Sequence, residues 1–250
     1  MKRISFLLFI LANTGVFHAQ NPLPASVPAV KTDTFTLTDP SRNRKIPVAV
    51  YQSEQPGHCI PVIFSHGYGE NKGGDYLEYS YLLEALARKG YYVISIQHEL
   101  KTDELLAMDG NLRETRFPNW ERGTRNILFV LRETKQTHPD LCFDQLVLIG
   151  HSNGGDMTVL FAHKSPELVH KIISMDNRRM ELPRTALPQV YTLRSDDYPA
   201  DEGVLPSPKE QEKYAITVDF TAIHHSNMDN DANAEERSFM IRKIAQYLEE

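Results

Sequence analysis

The sequence predicts an α/β fold, a mainly parallel central sheet of about eight strands flanked by helices. Three observations carry that expectation. Short apolar runs recur along the chain without clean apolar–polar alternation, as in strands covered on both faces. Stretches with apolar residues three or four apart separate several of these runs. A glycine-rich turn, Gly150-His151-Ser152-Asn153-Gly154-Gly155, stands where one such run gives way to a helical stretch.

At the N-terminus, Lys2 and Arg3 precede an apolar run over 4–12, and Ala19 stands before a polar, proline-rich stretch. This order of charge, apolar run and small residue is the layout of a cleavable export signal, so residues 1–19 are expected to be removed and the protein to be secreted or periplasmic. The run falls short of the ~20 residues needed to cross a bilayer, and no later segment reads as a stable membrane span. Pro22, Pro24 and Pro28 make 20–30 an extended linker, since each fixes φ and removes a backbone donor. A single folded domain is expected over 31–250, a length that can bury one sizeable core.

Residues 34–38 alternate apolar and polar, and 46–51 are rich in β-formers, which predicts a hairpin. Buried strands follow at 62–64, 92–96, 146–149, 172–175, 190–193 and 215–218. Helical periods lie over 76–88, 120–134, 157–164 and 235–248. Between 177 and 189 the chain is rich in Pro and Arg without a helical period, so that crossover is short and irregular and leaves no room for a large helical lid. The formal net charge of -6, with scattered basic residues, argues against a nucleic-acid partner.

The chemistry centres on Ser152. A strand-to-helix turn this tight leaves no room for β-carbons beside the serine, which explains the glycines, and it exposes Oγ. The helix that follows points backbone donors and a positive dipole end at the place where an oxyanion would form. Upstream, Ser65-His66-Gly67-Tyr68-Gly69 ends a strand, and the backbone N–H groups of Tyr68 and Asn153 are assigned to the oxyanion hole. Downstream, His225 in His224-His225-Ser226-Asn227-Met228 is the expected general base, in preference to its neighbour His224. The third member should be a carboxylate that fixes the imidazole tautomer. Asp197, just past the strand at 190–193, is the first choice, and Asp176, at the end of the preceding strand, is the alternative.

The order Ser152, Asp197, His225 resembles that of the α/β-hydrolase superfamily. The likeness runs from the first hairpin to the last helix and is greatest to the small, lid-poor branch of dienelactone hydrolases and platelet-activating-factor acetylhydrolases. It implies a serine hydrolase that needs no cofactor and cleaves a small ester or thioester through an acyl-enzyme. The usual strand order of that fold would also set the strands leading to His66 and Ser152 side by side, which brings Cys59 and Cys142 to one sheet edge. They are the only cysteines, and an exported chain can oxidise them, so a disulfide is a candidate, against an offset of about two residues and the alternative of two buried free thiols. Two other readings compete. One is a metal-dependent hydrolase built on His66, His98 and His151 with Glu99 and Asp176, and the other is a binding protein that keeps the fold without turnover.

Overall fold

The computed structural model describes residues 28–55 and 57–250. The expected export signal and most of the expected linker lie outside those residues. Eight strands form one sheet in the order β1-β2-β4-β3-β5-β6-β7-β8. β1 (Val30–Asp39) and β2 (Arg44–Ser53) make the expected hairpin, and β2 runs antiparallel to β4 (Tyr92–Ile96). From β4 onward all pairings are parallel: β3 (Pro61–Ser65), β5 (Val147–His151), β6 (Lys171–Met175), β7 (Gln189–Arg194) and β8 (Thr217–Phe220).

The central strands are buried along their whole length, because each face carries its own core. Successive residues point to opposite faces. Ile63, Leu148 and Ile172 thus meet α3 (Phe117–Thr137) and α4 (Ser152–Lys164) on one side, while Val62, Ile149 and Ile173 meet α1 (Ser80–Arg88) and α6 (Ala234–Glu249) on the other. In α1 the inward stripe is Leu82, Leu83, Leu86 and Ala87, the one-turn spacing of an amphipathic helix. The connection from β6 to β7 has no helix, as expected.

Two short helices depart from the expectation: α2 (Leu112–Thr115), and α5 (Pro208–Tyr214) between β7 and β8. α5 buries no residue, so it has no apolar period, but Ser207 and Glu210 close a capping box around Pro208 in the first turn. That signature was available in the sequence. Ala215 ends α5 in the left-handed region at φ 54°, which moves the last strand to 217–220 from the expected 215–218.

Cys59 and Cys142 are bonded, with their Cα atoms 5.1 Å apart. The two-residue offset is real, since Val62 pairs with Val147. A 3-10 turn over Phe143–Gln145 takes up the excess before β5, and Cys142 N–H donates to the Cys59 carbonyl at 2.8 Å.

Candidate active site

The C-terminal edge of the parallel strands brings the functional candidates together. Ser152 sits at φ 52° between β5 and α4. A β-carbon at Gly150 would come within 2.4 Å of the Gly154 carbonyl, and one at Gly154 within 2.3 Å of the Ser65 and His66 carbonyls. Only glycine lets this elbow close against β3.

His225 Nε2 lies 3.0 Å from Ser152 Oγ, and His225 Nδ1 lies 2.5 Å from Asp176 Oδ2. The expectation for Asp197 is therefore corrected: the carboxylate on the imidazole is that of Asp176, the alternative. Asp176 stands just past β6 at φ 58°, fully buried, where it also accepts from Ser195 N–H at 3.1 Å and Ser195 Oγ at 2.6 Å and pairs with Arg194 at 3.0 Å. Burial works to raise its pKa, but the bond to His225, the charge of Arg194 and the Ser195 hydroxyl together hold it below the ordinary carboxylate value. Asp197 points instead at the main chain and accepts from the His225 backbone N–H at 2.7 Å. His224 turns away from Ser152 and binds Asp196 at 2.8 Å in solvent.

The oxyanion candidates flank the serine. Asn153 occupies the first turn of α4, where amides lack intrahelical partners. Its side chain is locked behind the site: Oδ1 accepts from Trp120 Nε1 at 2.7 Å, and Nδ2 donates to Asn119 Oδ1 at 2.9 Å and Glu99 Oε1 at 3.1 Å. Tyr68 lies with Gly67, Gly69, Tyr79, His151, Ser152 and His225 around a cleft of about 260 Å³, and its hydroxyl accepts from Leu106 N–H at 3.0 Å.

The histidines of the metal reading do other work. His98 N–H donates to His66 Nε2 at 3.0 Å, so His66 carries its proton on Nδ1, which donates to the Gly67 carbonyl at 2.6 Å. Tyr79 accepts from Gly67 N–H at 3.0 Å and turns its hydroxyl to His151 Nδ1 at 2.7 Å. The His66 and His151 rings thus brace the turn over Gly67, whereas both nitrogens of the buried His98 ring have no partner among the described residues. The bracing contacts through Tyr79, Arg194 and Ser195 carry no local sequence signature, because each spans the fold.

No family model matches the sequence, and neither does any curated protein. Solved structures are similar. An α/β serine hydrolase without a lid from Xanthomonas campestris matches with a TM-score of 0.57 at 16% identity, over 91% of this chain and 98% of that one. A dienelactone hydrolase-like promiscuous phosphotriesterase from metagenomic libraries matches at 0.62 and 14% identity, over 88% and 98%. Brefeldin A esterase, a bacterial homologue of human hormone sensitive lipase, matches at 0.62 and 14%, over 92% and 80%. Likeness at this level of identity establishes the fold, and the fold is that of the α/β hydrolases.

Proposed function

We propose that the protein is an exported serine hydrolase that cleaves a small ester or thioester through an acyl-enzyme on Ser152. The observation that carries this reading is the unbroken line of hydrogen bonds from Ser152 Oγ through His225 to buried Asp176 at the head of the elbow. In the mechanism, His225 Nε2 takes the Ser152 proton as Oγ attacks the carbonyl carbon, then returns it to the leaving group. Asp176 holds Nδ1–H and balances the imidazolium charge. The Tyr68 and Asn153 amides receive the oxyanion, and a water activated by His225 releases the acyl group. None of these steps calls for a cofactor.

Two observations support a small substrate: the cleft, at about 260 Å³, is smaller than the roughly 300–1,000 Å³ usual for ligand sites, and the β6–β7 connection forms no helical lid. Export is supported by the Cys59–Cys142 disulfide, a bond that persists in oxidising compartments. Among the described residues, no helix is long and apolar enough to cross a membrane.

The test is Ser152→Ala. The variant should fold, lose hydrolysis of a short p-nitrophenyl ester and lose labelling by a fluorophosphonate, while the parent keeps full activity after chelation. Turnover at the parental rate in the variant would sink the assignment of the nucleophile.

A further inference from the structure

Away from the Ser152 cleft, the fold gathers basic residues that the sequence keeps apart. Arg42 and Asn43 turn β1 into β2, with Asn43 in the left-handed region at φ 47°, and Arg44 and Lys45 open β2. Pro118, Glu121, Arg122 and Arg125 stand three or four apart on α3, the spacing of one helix face. The hairpin turn, this face and the segment after β4 at Leu100 and Thr102 border a cavity of about 620 Å³, within the range of small-molecule sites. Five cations line it, Arg42, Arg44, Lys45, Arg122 and Arg125, against one carboxylate, Glu121, in a chain whose formal net charge is -6.

The acids within reach do not answer all of that charge. Asp39 accepts from Arg42 Nε at 2.6 Å. Asp103 is taken through both oxygens by Arg44, at 2.9 Å and 2.7 Å, and stands 3.6 Å from Arg122 Nε. Glu121 is shared by Lys164 and by Arg125, the latter at 3.2 Å. Lys45, exposed, is left without an acid among the described residues, and Arg122 has only the more distant one that Arg44 already holds. Arg42 Nη2, Arg44 Nε, and Nε and Nη2 of Arg122 are buried with no hydrogen-bond partner among the described residues. A guanidinium does not shed its charge, so unanswered ones held out of water repel one another, and a cleft lined by one sign of charge focuses its field on the space between.

We propose that this cavity is a binding site for a phosphate dianion, free or as the terminal monoester of a small molecule. The two cations short of an acid, Lys45 and Arg122, come from different elements, β2 and α3, and Thr38, Asn43 and Thr102 add neutral polar groups around the same space. A tetrahedral dianion directs oxygens toward both elements and answers both charges, whereas a carboxylate carries one charge and two oxygens in one plane. The cavity shares no lining residue with the Ser152 cleft, so the site stands or falls apart from the hydrolase reading.

Calorimetry at about pH 8, above the second pKa of a phosphate monoester, reads the site directly with inorganic phosphate, glucose 6-phosphate and acetate as probes. A phosphate probe should bind saturably, and acetate should not. Tighter binding of glucose 6-phosphate identifies a phosphate carried on a larger molecule, and tighter binding of inorganic phosphate identifies the free ion; the site stands in both cases. Arg42 and Arg44 also tie the fold together, through Asn126 at 3.0 Å and the His98 carbonyl at 2.7 Å, so Arg122 and Lys45 are the discriminating positions. Arg122→Gln and Lys45→Gln should each weaken phosphate binding by about 10-fold, the order expected for a charge-assisted hydrogen bond. Lys209→Gln removes the same charge from α5, which leads into the opposite edge strand β8, and should leave binding unchanged. Should Arg122→Gln fail to fold, the exposed Lys45→Gln decides. No saturable binding of either phosphate probe, acetate binding as tightly as phosphate, or affinity that Lys45→Gln lowers no more than Lys209→Gln does, would overturn the proposal.

Discussion

The ends of β6 and β7 look alike in sequence and behave differently in the structure. Each strand runs into carboxylates, Asp176 after β6 and the pair Asp196-Asp197 after β7. Asp176 is fully buried, while the side chains of Asp196 and Asp197 are 40% and 43% exposed. The parallel register explains the division of labour. Met175 pairs with Leu193, so the next residues, Asp176 and Arg194, emerge side by side, and Ser195 follows with two more donors for the carboxylate. β7 thus supplies the clamp and β6 the carboxylate that bonds to His225. A strand end becomes an acid site when its neighbour carries the donors that hold the carboxylate, whatever its own sequence offers.

Asp176→Asn is the most direct way to break this comparison. The amide keeps the shape but presents the wrong partner to Nδ1, and turnover of a short p-nitrophenyl ester should fall by about 10³ to 10⁴. The same change leaves Arg194, 2% exposed, without its counter-charge, so the unfolding midpoint in urea should fall as well, by the equivalent of roughly 3 kcal/mol. Activity near the parental level would return the acid to β7.

Acid pH sharpens the contrast next. Burial, then the charge of the His225 ring, push the His151 pKa down to about 3. In the unfolded chain a histidine titrates near 6.5. As pH falls through that value the unfolded state takes up a proton that the folded state refuses, so stability should decline from about pH 6.5 toward about pH 3. Asp176 acts lower. Its folded pKa is depressed, so its stabilisation is present above the ordinary carboxylate value and is lost as pH falls below it. Urea midpoints across pH should therefore fall steeply for the parent and less steeply for His151→Gln between pH 6.5 and 4. Equal slopes would mean that folded His151 does take up the proton. Asp197→Asn should leave the slope over that range nearly unchanged, because the His225 backbone N–H holds the Asp197 carboxyl below its ordinary value, so it titrates below the window.

Much of this was legible before the structure. Strands buried on both faces read as unbroken apolar runs, and the elbow at Ser152 announces itself through the glycines its geometry demands. The preference for His225 over His224 agrees with the geometry, since His225 lies 3.0 Å from Ser152 Oγ while His224 binds Asp196. The acid was not, because its selection depends on Arg194 and Ser195, which reach Asp176 only through the pairing of β6 with β7. Local pattern also fails where an element buries nothing, as α5 shows.

The smallest expected effect is the finest test of the comparison. Asp197 accepts the His225 backbone N–H, and this bond sets where the base loop begins, in front of the 3-10 turn over His225–Asn227. Asn in its place keeps an oxygen for that N–H, so Asp197→Asn should cost only a few-fold in kcat. Asp197→Ala removes the acceptor from an exposed site where water can replace it, and should cost roughly 1 kcal/mol in stability. The two variants differ in what they remove, the charge or the acceptor, and a loop-positioning role predicts that alanine is the worse. If asparagine instead lowers kcat as far as alanine does, the negative charge of Asp197 itself acts on the imidazole, and the two strand ends share the acid's role.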